Sequence, residues 1–371
     1  MKFIIATDSF KGSLSAEKAC RIITDTISEH LPDAQVITKP MADGGEGTAK
    51  AMIAACNGIW IPQKVMGPLP EMTVETGFAW FENTKIALVE MACASGIELL
   101  NAEQLDPLQT TTYGTGQLIK AAAKKQPKEI FLAIGGSATV DMGIGVAMAQ
   151  GWRFFNDENE SIGLGGGEIE KIKVIIPPID KILCKVKVLS DVDNPLYGPN
   201  GAAEVFGPQK GADPEMVKRL DSAIRKLSDR IYSDLGVNVS KIPGAGAAGG
   251  LGAGAVAFMG AEIVSGIDTI INAVNLKEDL QDADWIITGE GKFDTQSLNG
   301  KVIADVVKAA QQTNIKVAVI AGDVQLSKSE YSKFDIIHAI GLKKHGMTTE
   351  YTMQNCEKLL KESSYEFTKF I

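Results

Sequence analysis

The amino terminus sets out a strand, a helix and a second strand in close succession, and that order constrains the fold more than any other feature. Phe3 to Thr7 is a short apolar run stopped by Asp8 and predicts a buried strand. Ser15 to Leu31 predicts a helix. Ser15 can cap it, Glu17 lies in its first turn, and Ala16, Ala19, Cys20, Ile23 and Ile27 share one face. Ala34 to Thr38 predicts the next strand. Strands joined through a helix pair in parallel, because the helix carries the chain back over the sheet. The same grammar returns near the other end: strand Asp284 to Thr288, helix Gly300 to Gln312, strand Lys316 to Ala321 and strand Asp335 to Ile340.

Between these ends the texture changes. Trp60 to Val65, Val74 to Trp80 and Lys85 to Met91 are spaced like antiparallel hairpin strands. Glu129 to Ile134 and Lys185 to Leu189 predict further strands, and Pro214 to Leu235 a long amphipathic helix. A chain of 371 residues also exceeds one typical hydrophobic core. The expected fold class is therefore α/β with two α/β domains. Residues 1–60 and 268–371 would form a discontinuous, doubly wound, Rossmann-like parallel-sheet domain, with residues 61–267 inserted as a second α/β domain.

In open parallel sheets, ligands sit beyond the carboxyl ends of the strands. Six segments follow predicted strands: Asp8-Ser9-Phe10-Lys11-Gly12-Ser13, Met41-Ala42-Asp43-Gly44-Gly45-Glu46-Gly47-Thr48, Gly135-Gly136-Ser137-Ala138-Thr139-Val140-Asp141-Met142-Gly143, Ser190-Asp191-Val192-Asp193-Asn194-Pro195, Thr288-Gly289-Glu290-Gly291-Lys292-Phe293-Asp294-Thr295 and Ala321-Gly322-Asp323. Five combine glycine with a carboxylate; the segment after Leu189 has carboxylates alone. Glycine lets backbone N–H groups approach an anion, and a following helix adds positive partial charge. Carboxylates can hold magnesium or accept a hydroxyl proton, and lysine neutralises phosphate. Phosphoryl transfer needs this set of groups.

Each segment also has a plainer reading. Asp8 can cap a turn, Gly135 and Gly136 can serve close packing, Asp191 and Asp193 can be solvated turn residues, and Lys292 can be a surface lysine. Pro243 to Gly254, nearly all glycine and alanine, reads equally as a small-residue helix packed on a neighbour or as a loop around phosphates.

Several classes are excluded or weakened. The net charge of -9 argues against nucleic-acid binding. Arginine is confined to Arg21, Arg153, Arg219, Arg225 and Arg230, outside these loops, so anion binding would fall to lysine and backbone. Cys20, Cys56, Cys93, Cys184 and Cys356 show no zinc spacing and read as reduced core thiols of a cytoplasmic protein. No signal peptide or membrane span is expected. His30 suits a helix end, His338 falls in a strand and His345 in a basic turn; none has a metal or catalytic pattern. There is no Walker P-loop and no G-x-S-x-G. Gly244 to Gly249 matches G-x-G-x-x-G, but Lys241-Ile242-Pro243 is a poor strand.

Taken in order, the chain resembles the glycerate kinase family of the bacterial type. The matching segments are Ala6 to Ser13, Met41 to Thr48, Thr112-Tyr113-Gly114-Thr115-Gly116, Gly135 to Gly145, Ser190 to Gly198, Val205-Phe206-Gly207-Pro208-Gln209-Lys210-Gly211, Pro243 to Gly252 and Thr288 to Thr295. The resemblance implies ATP-dependent, magnesium-assisted phosphorylation of D-glycerate in sugar-acid or glyoxylate catabolism. It also implies a cleft between two domains that closes on its substrates. The implied product is 2-phosphoglycerate, with 3-phosphoglycerate left open by the motifs.

On that reading Asp191 is the first choice of general base. Asp8, Asp43 and Glu290 compete for that role or for magnesium, with Asp43 and Asp191 the candidate metal ligands. Lys11 and Lys292 would neutralise phosphate or the substrate carboxylate. Ser13, Gly44, Gly45, Glu46, Gly136, Ser137, Asn194, Asp294 and Thr295 complete the candidate binding set. The expected partners are D-glycerate and ATP, with no nucleic acid or membrane, in a monomer or homodimer. A dinucleotide-dependent oxidoreductase and a two-lobed sugar-acid sensor are the rival readings.

Overall fold

The computed structural model describes residues 1–180, 183–298 and 302–371. In chain order the strands are β1 (Lys2–Thr7), β2 (Gln35–Thr38), β3 (Ile59–Met66), β4 (Thr73–Phe81) and β5 (Ile86–Glu90). Then come β6 (Glu129–Ala133), β7 (Arg153–Phe155), β8 (Val174–Ile176), β9 (Lys185–Leu189) and β10 (Glu262–Val264). The last are β11 (Trp285–Gly289), β12 (Lys292–Phe293), β13 (Lys316–Ala321), β14 (Asp323–Val324) and β15 (Ile336–Gly341). The chain divides into two compact units: one holds Met1–Asp43, Lys50–Gly58 and Ile267–Ile371, the other Gly44–Ala49 and Ile59–Gly266.

The first unit carries a five-stranded sheet of order β15-β13-β11-β1-β2, parallel throughout. β1 lies between its sequence neighbour β2 and the distant β11, pairing Phe3 with Trp285 and Thr7 with Gly289. The helix Ala16–His30 starts as its sequence requires, with the Ser15 hydroxyl accepting from Lys18 N at 3.2 Å. It buries Ala19, Cys20, Ile23 and Ile27 in a core shared with Leu359, Leu360 and Phe367 of the helix Cys356–Phe370. Each fully buried large apolar side chain of this kind contributes about 1.5–3 kcal/mol. The helix expected from Gly300 runs over Val302–Ala310. Its expected first residues, 300 and 301, lie outside the described residues.

The second unit carries a six-stranded sheet of order β10-β9-β6-β5-β4-β3. The four strands β10, β9, β6 and β5 run parallel; β4 and β3 complete an antiparallel meander with β5, as the hairpin spacing predicts. The helix Pro214–Leu235 is capped by Asp213, which accepts from Glu215 N and Met216 N, and stops at Gly236 with φ 73°. Its stripe Val217, Leu220, Ile224, Leu227 and Ile231 is buried.

The glycine-alanine stretch resolves in favour of packing. Ala247–Met259 is a helix, with Ala248, Gly249 and Gly250 in left-handed conformation near its start. A Cβ on Gly254 would lie 2.1 Å from Met142 O, and one on Gly249 2.0 Å from Thr139 O. Small residues are required because backbone meets backbone. Gly244 to Gly249 follows turns rather than a strand, so the dinucleotide reading has no structural support.

β11 and β13 show the same constraint in the first unit. A Cβ on Gly289 would fall 1.8 Å from Ile320 O, whereas one on Gly291 would meet nothing closer than Lys11 N at 3.5 Å. Gly289→Ala is expected to destabilise the protein by roughly 3 kcal/mol through overpacking of paired strands. Gly291→Ala is expected to shift stability by no more than about 0.5 kcal/mol. Urea midpoints of the two variants measure the contrast, and equal midpoints would refute it.

Candidate functional site

The carboxyl ends of β1, β2, β11 and β13 lie along one edge of the first unit's sheet, because these strands are parallel. Asp8 follows β1 there, its backbone N–H donating to Gly289 O at 2.8 Å. Its Oδ1 accepts from Ser9 N at 2.6 Å. Burial, then the neighbouring Asp43 carboxylate, then Glu290, push the Asp8 carboxyl from the usual 3.8 up to about 7, against the pull of the Ser9 N–H. Asp8, Asp43 and Glu290 are therefore one electrostatic cluster. Asp43 is exposed and Glu290 buried. The Glu290 backbone is locked to the next loop, since Gly322 N donates to Glu290 O at 3.0 Å and Asp323 N to Gly291 O at 3.1 Å.

The other candidates of this edge are distributed around that cluster. Lys11 is exposed in the tight turn closed by Phe10 and Leu14, where Gly12 takes φ 74° and Ser13 is partly covered. Lys292 is exposed and pairs with Asp294 at 2.8 Å. Asp294 also caps its own turn, accepting from Gln296 N at 2.8 Å and Ser297 N at 3.3 Å. Thr295 is exposed. Lys292 and Asp294 thus balance each other's charge.

On the second unit the parallel strands β5, β6, β9 and β10 align their carboxyl ends likewise. Gly44, Gly45 and Gly135 meet backbone to backbone: Gly135 N donates to Gly44 O at 3.3 Å, and a Cβ on Gly135 would lie 2.6 Å from Gly45 Cα. Gly136 needs its freedom for a φ of 73°. Glu46 is exposed. Asp191 is exposed after β9 and accepts from Gly266 N at 3.0 Å. Asn194 donates to Asn200 O at 2.9 Å and braces its own loop.

Three charged side chains of this unit stand out that the sequence reading left off its candidate set. Glu90 ends β5 and accepts from Ala49 N and, at 3.4 Å, from Cys93 Sγ; burial pushes its carboxyl up. Asp141 is fully buried and accepts from Thr112 N and Thr112 Oγ1, both at 2.8 Å, Gly143 N at 3.0 Å and Gly145 N at 3.3 Å. It thereby ties down the starts of the helices Tyr113–Ala123 and Ile144–Ala149. Lys210, 1 % exposed, donates to Ser137 Oγ at 2.6 Å and Thr139 O at 2.7 Å. Glu90 obeys the strand-end rule and could have been found by it. Nothing local in Gln209-Lys210-Gly211 announces a buried lysine.

Among the described residues, no group of three or more His, Cys, Asp and Glu side chains is placed to hold a metal by itself. Magnesium bound with a nucleotide needs less, one or two carboxylates besides the phosphates. Asp8, raised first by burial, lies near enough to Asp43 and Glu290 for both to raise it further, so one or two of these carboxylates fit that ion.

Two α/β units whose parallel strands end in loops of glycine and carboxylate, with Lys11 and Lys292 in the first unit, are compatible with a small-molecule kinase. The model of the glycerate kinase family matches residues 3–371. The glycerate kinase of Halalkalibacterium halodurans is 42% identical over 364 residues, covering 97% of this chain and 96% of that one. The glycerate 2-kinase of Escherichia coli K12 is 45% identical over 327 residues, 87% of this chain and 86% of that one. A crystal structure from Salmonella typhimurium LT2, provisionally assigned as glycerate kinase 2, superposes with TM-score 0.88 at 38% identity over 100% of this chain and 98% of that one. The chain belongs to the glycerate kinase family, and it is a kinase. Among the described residues no helix is long and apolar enough to cross a membrane.

The Asp8 cluster has a consequence for stability. With its carboxyl raised from 3.8 to about 7 in the folded state, Asp8 keeps a proton that the unfolded chain releases between those values. Its contribution to stability is therefore full below pH 4 and declines as pH rises to about 7. Asp8→Asn, neutral throughout, is expected to melt several degrees above the wild type at pH 8 and to lose most of that advantage at pH 4.5. Melting curves at the two values measure this, and a constant difference would refute it.

Proposed function

We propose that this kinase transfers the γ-phosphoryl group of ATP to D-glycerate and forms 2-phosphoglycerate, with magnesium on the nucleotide. The observation that carries the reading is the cluster of Asp8, Asp43 and Glu290 at the parallel strand ends, in a chain of this family. The product is favoured by the 45% identity to a glycerate 2-kinase. Magnesium supplies charge neutralisation on the transferring phosphates. One or two of Asp8, Asp43 and Glu290 would hold it together with the phosphates, and Asp8 would ionise as the cation offsets its neighbours. Lys11, on its exposed turn, would pair with phosphate oxygens.

On the second unit, Asp191 is assigned the glycerate hydroxyl proton. It is a strand-end carboxylate fixed by Gly266 N yet open to solvent. The backbone around Gly136 and the Ser137 hydroxyl would donate to anionic oxygens. Transfer passes through a loose transition state, so most of the acceleration comes from positioning and charge.

The test is phosphorus NMR of the product from D-glycerate and MgATP. A resonance of 2-phosphoglycerate is expected; 3-phosphoglycerate would overturn the regiochemistry, and absence of glycerate-dependent ADP release would overturn the activity. Asp191→Asn is expected to lower kcat by about 10²-fold or more with the fold intact. An unchanged kcat would remove Asp191 from the role of base.

A further inference from the structure

Lys210 is a buried cation in a place that packing alone does not explain. It is 1 % exposed, comes from the short turn Pro208–Lys210, and reaches the loop after β6 from inside the second unit. Burying an ammonium is costly unless its donors are used and its charge is balanced. Here two donors are used, to Ser137 Oγ at 2.6 Å and Thr139 O at 2.7 Å. The charge that faces it is Asp141, itself buried and fully hydrogen-bonded. Ser137 retains 8% exposure, and its Oγ makes no other hydrogen bond among the described residues.

A hydroxyl has one proton to give and lone pairs to accept with. When the lysine ammonium donates to Ser137 Oγ, an inward lone pair is occupied and the hydroxyl proton is left for a partner elsewhere. We propose that Lys210 is a positioning residue: held under the loop, it orients Ser137 so that the serine hydroxyl donates to an anionic oxygen of a bound substrate. This deepens the proposed phosphoryl transfer and rests on it. The anionic oxygen belongs either to the glycerate carboxylate or to an ATP phosphate, and the two are separated by their Michaelis constants.

The arrangement carries its own pH signature. Burial pushes the Lys210 ammonium down to about 7, while Asp141 pulls it back up. Below that value the lysine donates and the serine proton is free for the ligand. Above it the neutral amine can accept the serine proton, which turns inward and is lost to the ligand. Substrate affinity should therefore fall as pH rises through about 7. Asp8, flanked by Asp43 and Glu290, titrates in the same range. The wild type must accordingly be compared with a variant that lacks only the serine hydroxyl.

The experiment measures kcat and the KM of D-glycerate and of MgATP from pH 6 to 9 for the wild type, Ser137→Ala, Lys210→Met and the double variant. Ser137→Ala is expected to raise one KM about tenfold or more, the loss of a hydrogen bond to a charged group, while lowering kcat by a smaller factor. The rise of that KM with pH should be steeper in the wild type than in Ser137→Ala, where only the part due to Asp8 remains. The double variant should be no worse than Lys210→Met, since both act through one hydroxyl. If Lys210→Met does not fold, the pH profiles of the wild type and Ser137→Ala decide alone.

Equal KM values in the wild type and Ser137→Ala, or a pH dependence as steep in Ser137→Ala as in the wild type, would overturn the inference. So would a phosphorylated Ser137 in the intact mass of the wild type during turnover, which would make the serine an acceptor. A wild type without glycerate-dependent turnover would instead overturn the functional reading beneath it.

Discussion

The arrangement of the second unit's strand ends depends on one carboxylate, that of Asp141. It lies out of reach of water and receives four hydrogen bonds, two from Thr112 and one each from Gly143 and Gly145. Thr112 passes the tie onward by accepting from Val146 N at 3.0 Å. The starts of two helices and the loop after β6 are thus fixed through a single buried group. Such a group is costly if any partner is missing. Its negative charge also gives Lys210 a reason to be inside, so the two buried charges are understood together.

The two sheet edges differ in electrostatic character. The first unit's edge gathers carboxylates, and burial, followed by the nearby Asp43 and Glu290, raises the Asp8 carboxyl. The second unit's edge offers glycine backbone, a serine hydroxyl and a cation sunk beneath it. The first suits a positive ion; on the second, which also carries Glu90 and Asp191, the Gly136–Ser137 stretch suits an anion. Arginine has no part in either, in keeping with its absence from these loops.

The regular elements were legible because their signals are local. Helix Pro214–Leu235 has a capping aspartate, a proline at its first turn, a stripe of apolar residues and a terminal glycine, and the structure matches it residue for residue. The hairpin strands and the parallel strands except β10 announce themselves by apolar runs; Glu262–Val264 is too short to do so. The stretch from Pro243 to Gly254 was ambiguous because glycine can serve an anion or a neighbouring backbone, and only the closeness of Met142 and Thr139 shows which. Within the candidate site, loops could be named but pairings could not. Ser137 and Lys210 are 73 residues apart, and Lys292 turned out to be matched to Asp294 two residues away. Glu90 is inconspicuous in the sequence because its strand β5 reads as part of the hairpin and the carboxylate is the strand's own last residue.

The placement of β1 bears on how the chain matures during synthesis. This first strand is an interior member of its sheet, yet its partner β11 begins at Trp285. At the usual pace of translation the two emerge roughly 15–60 s apart. For that interval the apolar faces of β1 and of the helix Ala16–His30 have no completed sheet to cover them. The second unit, whose strands from β3 to β10 lie within one continuous stretch, has all its strands available earlier. The nascent chain therefore carries an exposed sticky segment ahead of a unit already able to close. Ribosome-associated chaperones would be expected to recognise that segment first.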